Sequence, residues 1–272
     1  MKPNVFRAFC DLAYEQAGIK LGEEKLALVS ARVGKRLRAL NLTSEVDYLE
    51  VLRTDDGGEL IEFLDVISTN FTSFFREPAH FDRLAQDLGA RMAQGQKSFR
   101  LWCAASSSGE EPYTIALVLD QLFAGQGVEW KVLATDISTK VLGMAKRGQY
   151  RAQQLKAVQR DALARSFVKM RGDATGDDVV YEAGPELKSH LTFARLNLAR
   201  PPFPMRGPFD AVLCRNVMIY FDAPIRQALV SEMERLVRPG GLVFVGHAET
   251  LSGLETGLQV IAPSVYRRPG AS

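Results

Sequence analysis

From Phe99 to Gly246, short apolar runs alternate with amphipathic segments of helical length, and this rhythm restricts the fold more than any other feature of the chain. Phe99 to Ala105, Lys131 to Ile137, Phe209 to Cys214 and Gly241 to Gly246 read as buried strands. Pro112 to Phe123, Ser138 to Arg147 (with Ser138 as its cap) and Ala223 to Val237 read as helices. Strands alternating with helices of about 10–15 residues build parallel βαβ units. In such sheets a ligand sits beyond the carboxyl ends of the strands. The segments just after Ala105, Thr135 and Cys214 are where chemistry is expected.

Between about Asn4 and Phe75 the texture is different. Phe6, Phe9, Leu12 and Ala13 share one helix face, and Leu26, Val29, Val33 and Leu37 another. Gly18, Gly22 and an Asp55–Asp56–Gly57–Gly58 turn punctuate these segments. Strand-like runs are missing, so an all-helical N-terminal domain is expected. Pro78 opens a linking helix, Ala79 to Gln94. One stretch interrupts the α/β rhythm. After a helix ending near Met170, Asp177 to Ala183 and His190 to Leu196 read as short strands joined by a Gly184–Pro185 turn, which predicts a small β insertion.

A chain of 272 residues, 46% hydrophobic and 24% charged, can bury one large core or two small ones. Its 34 basic and 32 acidic residues leave a net charge of +2, so no global field draws it to nucleic acid or lipid. Cys10, Cys103 and Cys214 have no CxxC spacing and form no cluster with the three histidines. Reduced thiols and no bound metal are expected. The N-terminus is charged throughout, and apolar stretches such as Ile115 to Leu119 are too short to span a bilayer. A soluble, cytoplasmic protein follows as the expectation.

Four segments carry candidate chemistry. The loop Ala104 to Pro112 (AASSSGEEP) follows the first strand and opens the first helix, so its amides can approach a ligand. It lacks GxGxxG and puts Glu110 and Glu111 where a pyrophosphate would lie; a cationic ligand, such as a sulfonium amino acid, suits it better. Alternatively, the two glutamates simply favour the helix dipole. Asp136, ending the second strand, can accept from both ribose hydroxyls of an adenosine, or can merely start a turn. Arg215 and Asn216, in LCRNVMIYF, are polar residues at the rim of the sheet, with Tyr220 close behind; the apolar run alone would also suit plain core. Thr69 to Glu77 (TNFTSFFRE) makes a poor helix, and by composition is an interdomain connection with packed aromatics.

Together, TNFTSFFRE, AASSSGEEPYT and FDAVLCRNVMIYF closely resemble the chemoreceptor glutamate O-methyltransferases, the CheR family. The likeness extends over nearly the whole chain. It implies an α/β fold with a Rossmann-like S-adenosylmethionine-dependent methyltransferase sheet and a small antiparallel β insertion, preceded by the helical domain. The implied division is 1–77 for the helical receptor-contacting domain and linker, and 78–272 for the methyltransferase domain, with the insertion at about 172–196. The implied cofactor is S-adenosylmethionine, leaving as S-adenosylhomocysteine. Asn70, Thr72 and Arg76 would contact it from the linker, Glu111 would hold its methionine portion beside Glu110, and Asp136 its ribose. Asn197 and Leu198 would flank the adenine, and Arg215 and Asn216 would line the methionine end. Arg76 and Tyr220 would face the transferring methyl.

The implied partner is the cytoplasmic helix of a methyl-accepting chemoreceptor, rich in Glu and Gln, met by a monomer with no nucleic acid and no membrane insertion. A basic stripe, Arg32, Lys35, Arg36 and Arg38, matches that charge, though a solvated helix face is the plain alternative. Adenine-N6 methyltransferases carry an Asn/Asp-Pro-Pro-aromatic string where this chain has Asn216-Val217-Met218-Ile219. Nicotinamide enzymes need the absent glycine fingerprint. A non-catalytic adaptor that keeps the cofactor as a regulatory ligand is the remaining rival.

Overall fold

The computed structural model describes residues 1–54, 58–67, 71–170 and 179–270. The chain divides into two units, Met1–Asn70 with Tyr220–Arg226, and Phe71–Ile219 with Gln227–Ser272.

The helical unit contains α1 (Pro3–Ala17), α2 (Leu26–Ala39), α3 (Glu45–Thr54) and α4 (Gly58–Ile67). Pro3 starts α1 where a missing N–H costs nothing, and Gly18 ends it in the left-handed region at φ 67°. Phe9, Tyr48 and Phe63 are fully buried, with ring centroids 5.5–6.4 Å apart. Each such ring removes roughly 150–250 Å² from water. The Tyr220 carbonyl accepts from the Lys20 amide at 2.9 Å, and Asp222 accepts from the Tyr14 hydroxyl at 2.6 Å. Asp55, Asp56 and Gly57 of the expected turn lie outside the described residues, and Gly58 begins α4.

The basic stripe on α2 is not one continuous surface. Arg36 grips Glu59 at 2.6 and 2.9 Å and reaches Glu62 at 3.3 Å, while the Tyr48 hydroxyl donates to Glu59 at 2.7 Å. Arg32 donates to the Ile67 carbonyl at 2.9 Å. The i,i+4 spacing that grouped these two arginines turns both toward α4, whose carboxylates and last carbonyl take them up. Lys35 and Arg38 stay exposed.

In the second unit α5 (Ala79–Ala93) precedes β1 (Ser98–Cys103), α6 (Glu110–Phe123), β2 (Glu129–Asp136) and α7 (Thr139–Arg147). Then come β3 (Gln149–Arg151), α8 (Arg160–Ser166), β4 (Phe167–Lys169), β5 (Val180–Ala183), α9 (Pro185–Ser189) and β6 (Leu191–Arg195). The chain continues through β7 (Phe209–Cys214), α10 (Ala223–Leu236), β8 (Val237–Val245), β9 (Gln259–Ala262) and β10 (Val265–Arg267).

Seven strands form the main sheet in the order β6-β2-β1-β7-β8-β10-β9. The first five run parallel, and β10 and β9 close the edge as an antiparallel hairpin. Leu101, Cys103, Ala134, Leu213, Leu242 and Phe244 are buried because helices cover both faces of a parallel sheet. Each large apolar side chain among them stabilises by roughly 1.5–3 kcal/mol. Ser138 caps α7 as expected, accepting from the Val141 amide at 3.1 Å.

The β insertion exists, but with different strands. Its sheet is β3-β5-β4, antiparallel throughout. The segment Leu191–Arg195, expected as the hairpin partner of Val180–Ala183, instead pairs parallel with β2 at the edge of the main sheet. Pro185 starts α9 between them, with its ring at the first helical position. The helix expected to end near Met170 stops at Ser166 and gives way to β4. Of the proposed 172–196 segment, 172–178 lies outside the described residues, as do Asp177 and Asp178 of the first expected strand. Among the described residues no helix is long and apolar enough to cross a membrane.

Candidate cofactor site at the rim of the sheet

Because β6, β2, β1, β7 and β8 are parallel, their carboxyl ends open onto one rim. The loop after β1 crosses it. The Ser106 amide donates to the Thr135 carbonyl at 2.8 Å, and the Ser107 amide to Asp136 Oδ2 at 2.8 Å. Asp136 Oδ1 accepts from the Ser138 amide at 3.0 Å, so this carboxylate is fixed from two sides at the end of β2. The Leu196 amide donates to the Asp136 carbonyl at 3.0 Å, which brings the turn holding Asn197 and Leu198 beside it. Asn197 Oδ1 accepts from the Ala199 amide at 3.0 Å, and Leu198 is buried.

Gly109 ends the loop at φ 103°, a conformation that side chains resist. A Cβ there would strike the Tyr150 hydroxyl and sit 2.9 Å from the Ala145 Cβ. Tyr150, on β3, donates to the Ser108 carbonyl at 2.9 Å, and Gln154 donates to Glu110 at 3.2 Å. Small sheet and loop are thereby joined. Burial raises the Glu110 carboxyl above its ordinary range.

Arg215, which follows β7, is buried at the centre of the rim. Its Nη1 donates to Glu111 at 2.6 Å; its Nη2 donates to Glu77 at 3.0 Å and to the Arg76 carbonyl. The guanidinium carbon lies 5.2 Å from the centre of the Phe81 ring. Burial opposes the Arg215 charge, but Glu111 and Glu77 outweigh it and hold the guanidinium above its ordinary range. Glu77 is held below its ordinary range, because Arg215 and neighbouring donors outweigh its burial. At Glu111 burial prevails, and the carboxyl rises despite Arg215. Glu111 Oε2 and the Arg215 guanidinium meet in a salt bridge at 2.6 Å. The buried Cys103 thiol also donates to Glu111, at 3.3 Å, and all three cysteines are free.

The rim suits a zwitterionic amino acid joined to a nucleoside. Ser106 Oγ, Ser107 Oγ and Arg215 Nε are buried there without a protein partner. Glu111 and Arg215 offer opposite charges for an ammonium and a carboxylate, and Asp136 offers lone pairs for ribose hydroxyls. A dinucleotide pyrophosphate would instead meet Glu110, Glu111 and Asp136.

Of the other expected residues, Thr72 and Arg76 lie in the second unit, and Arg76 folds back onto Phe71. Its Nη1 donates to the Phe71 carbonyl at 2.8 Å, with the guanidinium 5.7 Å from that ring's centre. Asn70 is outside the described residues, and Tyr220 belongs to the helical unit.

Four residues escaped the sequence reading: Glu77, His80, His247 and Glu249. Ligand atoms of Glu77, His80 and His247 lie within 4.8 Å of one another, but Glu77 is already committed to Arg215. His80 is 2% exposed, its Nδ1 is 3.4 Å from Glu77, and its ring stacks edge-on against His247 at 4.9 Å. Glu249, also buried, accepts from backbone amides after both β7 and β8. A signal for His247 and Glu249 was present, since they follow the carboxyl end of a strand already expected to belong to the sheet.

A mostly parallel sheet with an antiparallel closing hairpin, and a rim whose charges suit a nucleoside-linked amino acid, fit an S-adenosylmethionine-dependent methyltransferase. Residues 4–68 match the model for the all-alpha domain of CheR methyltransferases, and residues 70–266 that for their SAM-binding domain. The chain belongs to the CheR methyltransferase family. It is 41% identical to a chemotaxis protein methyltransferase of Escherichia coli over 96% of this chain and 89% of that one. To chemotaxis protein methyltransferase 2 of Pseudomonas aeruginosa it is 37% identical, over 96% and 91%.

Proposed function

We propose that this methyltransferase esterifies glutamate side chains in the cytoplasmic helices of chemoreceptors. The supporting observation is Arg76. Its carbonyl accepts from Arg215, and its guanidinium is tethered to Phe71 at the edge of the rim, a cation suited to an anionic acceptor. The cofactor supplies an electrophilic methyl on a sulfonium centre. A glutamate carboxylate, with a reference pKa near 4.3, is already an anion at neutral pH, so no general base has to remove a proton. The chain's own part is positioning, which can lower the barrier by roughly 7–11 kcal/mol. In this reading Arg76 orients the incoming carboxylate and Tyr220 helps place the methyl. Thr72 and Asn70 support the cofactor from the linker, Glu111, Arg215 and Asn216 hold its methionine end, Asp136 its ribose, and Asn197 and Leu198 its adenine.

Receptor contact is assigned to the exposed side of α2, carried by Lys35 and Arg38, because Arg32 and Arg36 are engaged inside the helical unit. The test is transfer of labelled methyl to a purified receptor cytoplasmic domain. The expected product is base-labile and releases volatile methanol, as a carboxyl ester does. Label stable to base, or equal label on a receptor whose acceptor glutamates are changed to alanine, overturns the reading. Arg76→Ala should depress turnover more than it depresses affinity for S-adenosylhomocysteine.

A further inference from the structure

Glu249 plays no part in the scheme above, yet it holds the rim together. Its Oε2 accepts from the Gly246 amide at 2.6 Å and the Asn216 amide at 2.8 Å. Its Oε1 accepts from the Met218 amide at 2.7 Å and the Ile219 amide at 3.3 Å. Both oxygens face donors only, as an acceptor-only carboxylate requires. Among the described residues none of the ion pairs involves Glu249, so the chain has buried a carboxylate for its contacts with backbone amides. What it grips is a strained turn: Asn216 sits at φ 58°, in the left-handed region that non-glycine residues rarely adopt. Gly246 makes the close approach possible, since a Cβ there would collide with the Asn216 side chain and lie 2.9 Å from Glu249 Oε2. The next amide, that of His247, donates to Glu77 at 3.3 Å, and Glu77 in turn holds Arg215.

We propose that Glu249 is a positioning residue for the cofactor site, holding the turn after β7 so that Arg215 and Asn216 face the methionine end of the ligand. The assignment rests on reading those two residues as ligand contacts. Glu249→Gln keeps the shape of the side chain but replaces one acceptor oxygen with an NH2 group that confronts two N–H donors. Affinity of the full chain for S-adenosylmethionine and S-adenosylhomocysteine, measured by calorimetry, should fall about tenfold, the effect of one charge-assisted hydrogen bond. The KM for S-adenosylmethionine should rise by the same factor, with kcat at saturation within about threefold of wild type. Amides of Asn216, Met218 and Ile219 should exchange faster.

Glu232→Gln is the control. Glu232 is equally buried at 8% exposed, and accepts from the Phe203 amide at 2.7 Å beside Arg235, but it belongs to α10. It should lower the melting temperature and leave cofactor affinity unchanged. Gly246→Ala, with the carboxylate intact, should reproduce the affinity loss if Glu249→Gln fails to fold. Affinity in both Glu249→Gln and Gly246→Ala within twofold of wild type overturns the assignment. An equal affinity loss in Glu232→Gln overturns it as well. Arg215→Met separates the two readings. If that variant loses affinity while Glu249→Gln keeps it, only the role of Glu249 falls; if it binds normally, the reading of the rim beneath it falls too.

Discussion

Each unit holds an arginine between two glutamates, and the two arrangements serve different ends. Arg36 lies 2.6 Å from Glu59 and 3.3 Å from Glu62; Arg215 lies 2.6 Å from Glu111 and 3.0 Å from Glu77. The Arg36 side chain keeps 18% of its exposure, whereas that of Arg215 keeps none. Water screens the first, and it fastens two regular helices. The second carries the desolvation of three charges, which Coulomb attraction offsets only with good geometry. Around it the backbone enters the left-handed region at Phe75, Glu77 and Asn216, with φ of 53°, 58° and 58°. Strain of this kind, costing about 1–3 kcal/mol each, collects where a site must be preorganised. The same pair of residue types braces two helices in one unit and, in the other, lies buried at the rim proposed to hold the ligand.

The strongest challenge to this contrast is Arg215→Ala. It leaves Glu111 and Glu77 without their cation and should cost about 3–5 kcal/mol in urea unfolding, with calorimetric binding of S-adenosylhomocysteine lost. A loss below about 1 kcal/mol would make the rim pair no different from Arg36.

Acid offers a second probe. Burial, and after it the Arg215 charge, push the His80 imidazole down to about 4. The folded value lies below the unfolded one near 6.5, so as pH falls the unfolded chain takes up the proton first. Stability on the order of 3 kcal/mol is present above pH 6.5 and is lost as pH falls from there through 4. His80→Gln should remove that part of the acid sensitivity, read from unfolding curves at pH 7, 5.5 and 4.5. Parallel losses in both proteins would clear His80.

Arg36→Met should cost only about 1 kcal/mol, a few degrees in melting temperature, with cofactor affinity unchanged. The smallest stability effect, within about 0.5 kcal/mol, is expected for Lys35→Glu combined with Arg38→Glu, both on exposed helix surface. That double variant should still raise the receptor KM severalfold in the methyl-transfer assay.

The parallel sheet was legible because its strands are apolar runs framed by helices with clear periodicity. Phe209–Cys214 was read with its final bounds. The small sheet was not, since Gln149–Arg151 and Phe167–Lys169 are three-residue strands, too short for alternation to register. Leu191–Arg195 shows how tertiary pairing overrides local pattern: its alternation suits a hairpin, but β2 offered a parallel edge. At the site, Asp136 and Arg215 stood out as polar residues ending apolar strands. Glu77 did not, because its partners Arg215 and His247 lie 138 and 170 positions away. The partners of Arg36 were hidden for a related reason, since helical spacing alone does not say which neighbouring helix carries acid.

The Tyr150 hydroxyl bonds β3 to the Ser108 carbonyl, and just beyond the strand the Gln154 side-chain amide reaches Glu110. The Tyr150 ring also packs edge-on against Tyr113 of α6 and against Phe74. The three small strands thus buttress the loop after β1 through bonded and packed contacts together.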